Sequence, residues 1–261
     1  MGFDVIEGMK SAYSVDWLVA VAAGKIPGFS ILDKFGRNPA AGTIRRPVWQ
    51  QGNQDYTYLE NAEGLRAYAG VNTATNAMVF EIINSGWGTT MVSATLTGTT
   101  PINLGTGFRC NRFYNDEPGR TLGILAGYVE VVGSGAVTAG TAAAAAMVKA
   151  RIDIPYEQTE QAIFTVPVNQ QLQIWGVWAG INESSGVSAV AIDLEMWVGK
   201  FNRPMLNKRT VGMTNLGGNP TLLPWGVPLV VDPKADVELK CLCDATGLDI
   251  GAGFYGLLID V

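Results

Sequence analysis

The residues whose types and spacing could do chemistry are few. Asp116-Glu117 is the evident carboxylate pair, and two carboxylates can share acid–base work on a glycoside if they stand ~5–9 Å apart across a cleft. Side by side before Pro118-Gly119, they read instead as the polar end of a hairpin turn. Gly105-Thr106-Gly107 suggests a phosphate-cradling loop. No lysine or further glycine follows at the spacing of a nucleotide fingerprint, and Phe108-Arg109-Cys110 reads as strand. Asp244-Ala-Thr-Gly-Leu-Asp249 offers oxygens but lacks the alternation and closing glutamate of a calcium loop. Cys241 and Cys243 continue the alternation of Val237 and Leu239, as buried strand cysteines do; with Cys110 they make three, an odd number without disulfide-framework spacing. Asn182-Glu183-Ser184 fits a glycosylation sequon, which carries information only in a secreted chain. Trp175, Trp178, Trp197 and Trp225 could stack on sugar rings, although strand tryptophans more often fill cores and interfaces.

Histidine is absent, which removes Ser-His-Asp and Cys-His catalysis, most catalytic zinc sites and the usual near-neutral proton shuttle. The expectation is a non-enzyme with no metal and no cofactor. Net charge is −5 with 16% charged residues, which argues against a nucleic-acid partner. Arg45-Arg46 and Lys208-Arg209 read as solvated loop charge, or as ion-pairing residues at an interface. No apolar run approaches the ~18 residues of a membrane span, and Asp4, Glu7 and Asp16 stand where a signal peptide needs basic residues. No membrane partner is expected.

The elements that must position these residues are strands. At 261 residues with 48% apolar content and 32 glycines, the chain suits a large, turn-rich all-β domain. Ala162–Trp178 reads as a central hairpin: Ala162, Phe164 and Val166 share one face, Leu172, Ile174 and Trp178 the other arm's, with Pro167 ending the first strand. From residue 56 short apolar runs recur between Gly, Asn, Pro and Thr clusters: 77–83, 90–96, 108–114, 122–132, 147–154, 161–166, 172–178, 189–198, 227–231, 236–243 and 253–259. In 147–154, Val148, Ala150, Ile152 and Ile154 should face in and Lys149, Arg151 and Asp153 out. The alanine-rich tract 133–146 reads mostly as loop, and the closing 254–261 as a strand buried on both faces. The pattern predicts a jelly-roll-like antiparallel β-sandwich over 56–261.

Residues 1–55 differ. Ile6, Met9, Tyr13, Trp17 and Ala20 have helical spacing that Gly24 would stop, and an extended path is the alternative. Bulky groups at irregular intervals (Phe3, Tyr13, Trp17, Phe29, Phe35 and Trp49) suggest an arm lying outside the sandwich and anchoring on a partner or neighbouring subunit. The alternative is an extra edge strand on the same domain.

The segment order Gly24-Lys-Ile-Pro-Gly28, Lys34-Phe-Gly-Arg-Asn38 and Val48-Trp49, followed by 96–104, 108–112, 161–168, 232–236 and 254–260, resembles a family of tailed-bacteriophage virion structural proteins over nearly the whole chain. The N-terminal motif is its most specific part; Gln50-Gln-Gly-Asn-Gln54 and the alanine tract depart from it. The resemblance implies a particle component without enzymatic activity: a capsid decoration or cement protein, trimeric, assembled in the host cytoplasm onto the outer head and bound to the major capsid protein or another virion protein. A tail adaptor, nozzle or fibre component is the nearest alternative, and a carbohydrate-binding receptor-recognition module is a further one. Trp17, Phe29, Phe35, Arg37, Asn38 and Trp49 are the expected partner-binding residues.

Overall fold

The structure, a computed structural model, describes residues 17–116, 125–183, 190–215 and 220–261, and most of these are in strands. After a short helix α1 (Trp17–Ala22) come β1 (Phe29–Ala41), β2 (Arg46–Pro47), β3 (Glu63–Ala69), β4 (Ala77–Asn84), β5 (Thr89–Thr95), β6 (Ile102–Asn115), β7 (Val129–Val132), β8 (Val137–Thr138), β9 (Thr141–Ala142), β10 (Val148–Ile152), β11 (Ile163–Thr165), β12 (Gln170–Glu183), β13 (Val190–Lys200), β14 (Leu206–Asn215), β15 (Thr221–Val231), β16 (Ala235–Cys243) and β17 (Leu248–Asp260). The strand pairings are antiparallel.

Eight of these strands make a sandwich: one sheet runs β1-β17-β12-β15 and the other β11-β16-β13-β14, with β2 beside β16. In chain order, the first of the eight pairs with the last, the second with the seventh, the third with the sixth and the fourth with the fifth. Alternation drives one face of each strand inward. Phe164, Leu172, Ile174, Leu194, Val237, Leu239, Ile250 and Phe254 meet in the shared core, together with Cys241 and Cys243. The all-β antiparallel sandwich anticipated from the sequence is therefore present.

The residues between β2 and β11 form a second unit. Its six-stranded sheet has the order β10-β7-β3-β6-β4-β5. Leu65, Phe80, Ile82, Phe113, Val131 and Ile152 from that one sheet converge on a separate core, so the sheet curls over its own apolar face. The alanine-rich tract holds only the small β8–β9 hairpin and a 3-10 turn, so it is mostly loop.

Three expectations are corrected. First, 162–178 is not a hairpin: β11 pairs with β16, and β12 with β15 and β17. Pro167–Asn169 carry the chain from one sheet to the other, so the two apolar faces meet across the core instead of lying side by side. A bulge between Ile174 and Gly176 then reverses the phase of β12. Ile174 and Val177 point inward, and Trp178 is only half-buried.

Second, residues 29–49 are not an arm outside the sandwich. β1 is an edge strand in register with β17 from Phe29↔Ile259 to Ala41↔Leu248. Burial of Ala41, Val48 and Trp49 secures the end of β1 and the segment leading out of β2. Helix α1 ends before Gly24, whose φ of +67° suits glycine; residues 1–16 of the expected helix lie outside the described residues.

Third, the division at residue 55 does not match the fold, because the sandwich takes its first strand from before it and the curled sheet is inserted after it.

Candidate docking face

The motif Lys34-Phe35-Gly36-Arg37-Asn38 lies on β1, and alternation splits it between two faces. Its even-numbered residues point into the molecule. Lys34 is buried and its Nζ donates to the Asn111 carbonyl on β6; burial pulls its pKa down to about 8. At Gly36 any side chain would collide with the Val48 carbonyl and lie 2.5 Å from the Ala162 backbone nitrogen, so only glycine fits. Asn38 is fully buried: its Nδ2 donates to the carbonyls of Pro47 (3.0 Å) and Gly52 (3.3 Å), and its Oδ1 accepts from the Ala40 N–H. Trp49 is buried too, with Nε1 donating to the Gln54 carbonyl at 2.9 Å and Tyr56 packed edge-on. Asn38 and Trp49 are therefore spent inside the chain, and the expectation that they anchor a partner is corrected for both.

The odd-numbered residues face outward. Phe29 packs edge-to-face on Trp17 of α1 with centroids 5.3 Å apart. Phe35 is half-buried. Arg37 grips Asp249 through Nε (2.7 Å to Oδ1), which keeps its guanidinium charged, and lies over Tyr156. Trp17, Phe29, Phe35 and Arg37 thus share the outer side of the β1-β17-β12-β15 sheet.

Register extends that side across four strands. Phe35 is opposite Gly253, Gly253 opposite Trp178 and Trp178 opposite Leu222; in the next row, Asp33 is opposite Tyr255, Tyr255 opposite Gly176 and Gly176 opposite Pro224. The glycines let the neighbouring rings lie down. A Cβ on Gly253 would come 2.7 Å from Trp178 Nε1, and one on Gly176 2.5 Å from Tyr255 Oη. Ile31, Leu222 and Val230 remain 44%, 59% and 49% exposed. Asp33 has no ion-pair partner among the described residues, and partial burial raises its pKa. The result is a broad apolar, aromatic surface with Asp33 set in it, larger than scattered exposed side chains require. Sequence reasoning missed Ile31, Tyr255 and Leu222; the alternation of 253–259 was the available signal for Tyr255.

The opposite sheet differs. The outward side of β16 is covered by the curled sheet through a buried polar layer. Arg109 grips Asp236 with two bonds (Nε–Oδ1 3.1 Å, Nη2–Oδ2 2.9 Å) and lies over Tyr58; Asp236 also accepts from the Thr165 hydroxyl. Asn111 Nδ2 donates to the Thr165 carbonyl (3.0 Å), and its Oδ1 accepts from the Thr165 N–H (2.9 Å). Glu238 accepts from Tyr58 Oη at 3.3 Å, and its other oxygen is buried without a partner; burial lifts its pKa to about 7.

As for chemistry, Glu160, also raised to about 7 by burial, lines a cleft of about 330 Å³ with Arg112 and Tyr156. Among the described residues, no three His, Cys, Asp or Glu side chains gather as a metal-holding group. Gly105 and Gly107 lie within β6, Cys110, Cys241 and Cys243 are buried, and Glu117 falls outside the described residues. Of the tryptophans considered for sugar stacking, Trp225 lies under the Arg209 guanidinium and Trp197 under Arg45 and Lys240. No helix among the described residues is long and apolar enough to cross a membrane.

No family model matches the chain. No curated protein matches it either. Among solved structures, 94% of the chain aligns with 78% of a chain in the structure of infectious bursal disease virus Gt strain, at 14% identity and a TM-score of 0.26. The D431N mutant VP2 protein of the same virus, in derived T=1 particles, aligns over 94% of this chain and 75% of that one, at 11% identity and a TM-score of 0.26. A third, the VP2 subviral particle, aligns over 90% of this chain and 73% of that one at 12% identity and a TM-score of 0.24. Scores this low carry no argument, so the functional reading rests on the chain's own geometry.

Proposed function

We propose that the chain is a non-enzymatic structural protein of a tailed-phage virion: a decoration protein that binds the outer head surface as a trimer and stabilises the shell. The observation that carries this reading is the strand order. Pairing first with eighth, second with seventh, third with sixth and fourth with fifth supports a jelly-roll reading of the sandwich, an architecture widely used by viral capsid and lectin domains. Two further features support it: the open apolar face of the β1-β17-β12-β15 sheet, and the buried polar network around Arg109 and Asp236 that holds the two units together. A fold hosts many functions, so the reading needs its own test.

In this reading the aromatic sheet face docks on the major capsid protein. Many weak contacts acting together around a closed ring hold a shell more firmly than one contact does. Ile31→Asp with Leu222→Asp places two charges on exposed positions of that face, where each costs within ~0.5 kcal/mol of stability. The double variant is expected to unfold at the wild-type denaturant midpoint but no longer to co-sediment with particles lacking the protein. Unchanged co-sedimentation would remove the face from the proposal.

The flat Trp178 and Tyr255 rings favour a second reading, a carbohydrate-recognition module. Glycan binding by the purified chain, lost in Trp178→Ala with the fold retained, would select it.

A further inference from the structure

From Lys200 to Val231 the sequence contains four cations (Lys200, Arg203, Lys208 and Arg209) and no Asp or Glu, in a chain whose net charge is −5. The structure makes this stretch the β14–β15 side of the sandwich. Lys208-Arg209, expected in a solvated loop, is on strand β14. β14 pairs with β13 alone and β15 with β12 alone, so each sheet ends here on a strand whose outer edge has no partner among the described residues. Arg209 is used internally: its Nη2 donates to the Val227 carbonyl at 2.9 Å and its guanidinium covers Trp225, tying the two edges together. Beside this tie lies a groove of about 420 Å³ with Val198, Leu206, Val230 and Val231 on its walls and Lys200, Arg203 and Lys208 around it. Lys200 pairs with Asp232 at 2.7 Å, whereas Arg203 and Lys208 have no ion pair among the described residues. Leu206 is 56% exposed and Val230 49%.

An open strand edge, an apolar trough and two uncompensated cations fit one kind of occupant. A strand edge supplies main-chain hydrogen bonds to an added strand, and the alternation of that strand sends side chains to the trough and the rim in turn. Nucleic acid fits less well, because two free cations neutralise few phosphates and the trough has no exposed ring for base stacking. We propose that the β14 edge is a docking groove for an extended acidic segment of a partner chain. That segment pairs along β14, inserts apolar side chains against Val198 and Val230, and sets carboxylates on Arg203 and Lys208. The groove borders the aromatic sheet face at Val230, and the proposal does not depend on the virion reading.

The test uses the full chain and a fluorescein-labelled peptide of about ten residues alternating Val and Glu, long enough to span a strand. Its Val/Gln counterpart and a labelled single-stranded oligonucleotide serve as comparisons. Anisotropy should show the Glu peptide binding at least about tenfold more tightly than the Gln peptide at low salt, with the margin shrinking as salt screens it. Arg203→Glu with Lys208→Glu, both at exposed positions, should reverse that preference without moving the unfolding midpoint. Leu206→Asp should weaken both peptides. Three outcomes overturn the proposal. One is no binding of the Glu peptide, or equal binding of both peptides. Another is tighter binding of the oligonucleotide. The third is an oligomer that Lys208→Glu dissociates while no peptide binds, which would assign the groove to a second copy of the chain.

Discussion

At the residue scale, a motif that reads as a binding signature in one dimension turns out to be half joinery. Gly36 is required because β1 passes against the Val48 and Ala162 backbone, and nothing flexible there can give way. Gly36→Ala should therefore cost about 3 kcal/mol, the upper end of the overpacking range, in a denaturant titration. A loss below about 1 kcal/mol would mean that the β1–β11 approach is looser than described. Glu238 supplies a pH dependence. An unfolded glutamate titrates near 4.3, whereas burial lifts folded Glu238 to about 7. Between those values the folded state holds the extra proton. The stability from this group is therefore fully present below the lower value and is lost as pH rises through about 7. Half-buried Glu160 acts in the same direction. Urea midpoints should be higher at mildly acidic than at mildly alkaline pH, and Glu238→Gln should narrow the gap. A gap unchanged in that variant would place the slope elsewhere.

At the element scale, strands with clean alternation are legible in the sequence and strands without it are not. The runs 77–83, 90–96, 108–114, 236–243 and 253–259 fall on β4, β5, β6, β16 and β17, because one continuous apolar face per strand is what a core demands. β1, β3 and β14 leave no such trace. β1 carries Lys34 and Asn38 on its inward side, satisfied by carbonyls that only the fold brings near. β14 is an edge strand with little core to record in its sequence. Alternation along 147–154 points Lys149 outward, yet it is buried, donating to the Thr57 and Ala146 carbonyls at 2.8 Å, because the chain at Thr57 and Ala146 reaches its ammonium group on that side. The same alternation points Ile154 inward, yet it is 53% exposed, since β10 ends at Ile152. The open aromatic face is only partly legible: it depends on which strands become neighbours, and a single apolar face per strand does not say which side stays uncovered. Membership of β1 in the sheet has its own test. Deleting residues 2–50 should leave a chain that no longer unfolds cooperatively, since an edge strand and the packing of Val48 and Trp49 go with it. A soluble remainder with a sharp transition would restore the arm.

At the scale of the whole molecule, the sandwich has one sheet face covered by the curled sheet through Arg109, Asp236, Asn111 and Glu238, and one apolar, aromatic face that the described residues leave largely uncovered. Breaking a buried pair such as Arg109–Asp236 costs ~3–5 kcal/mol when one charge is left alone, so the covered side resists rearrangement and fixes the direction in which the open side points. A surface of this character, held rigidly, suits a protein whose work is to be part of an assembly. That central claim is most directly tested by counting copies of the chain against the major capsid protein in purified virions by quantitative mass spectrometry. A copy number in the hundreds, near that of the capsid subunit, is the result predicted for a decoration protein; six or twelve copies would contradict it and move the chain to the tail, and absence from the particle would contradict the virion assignment altogether.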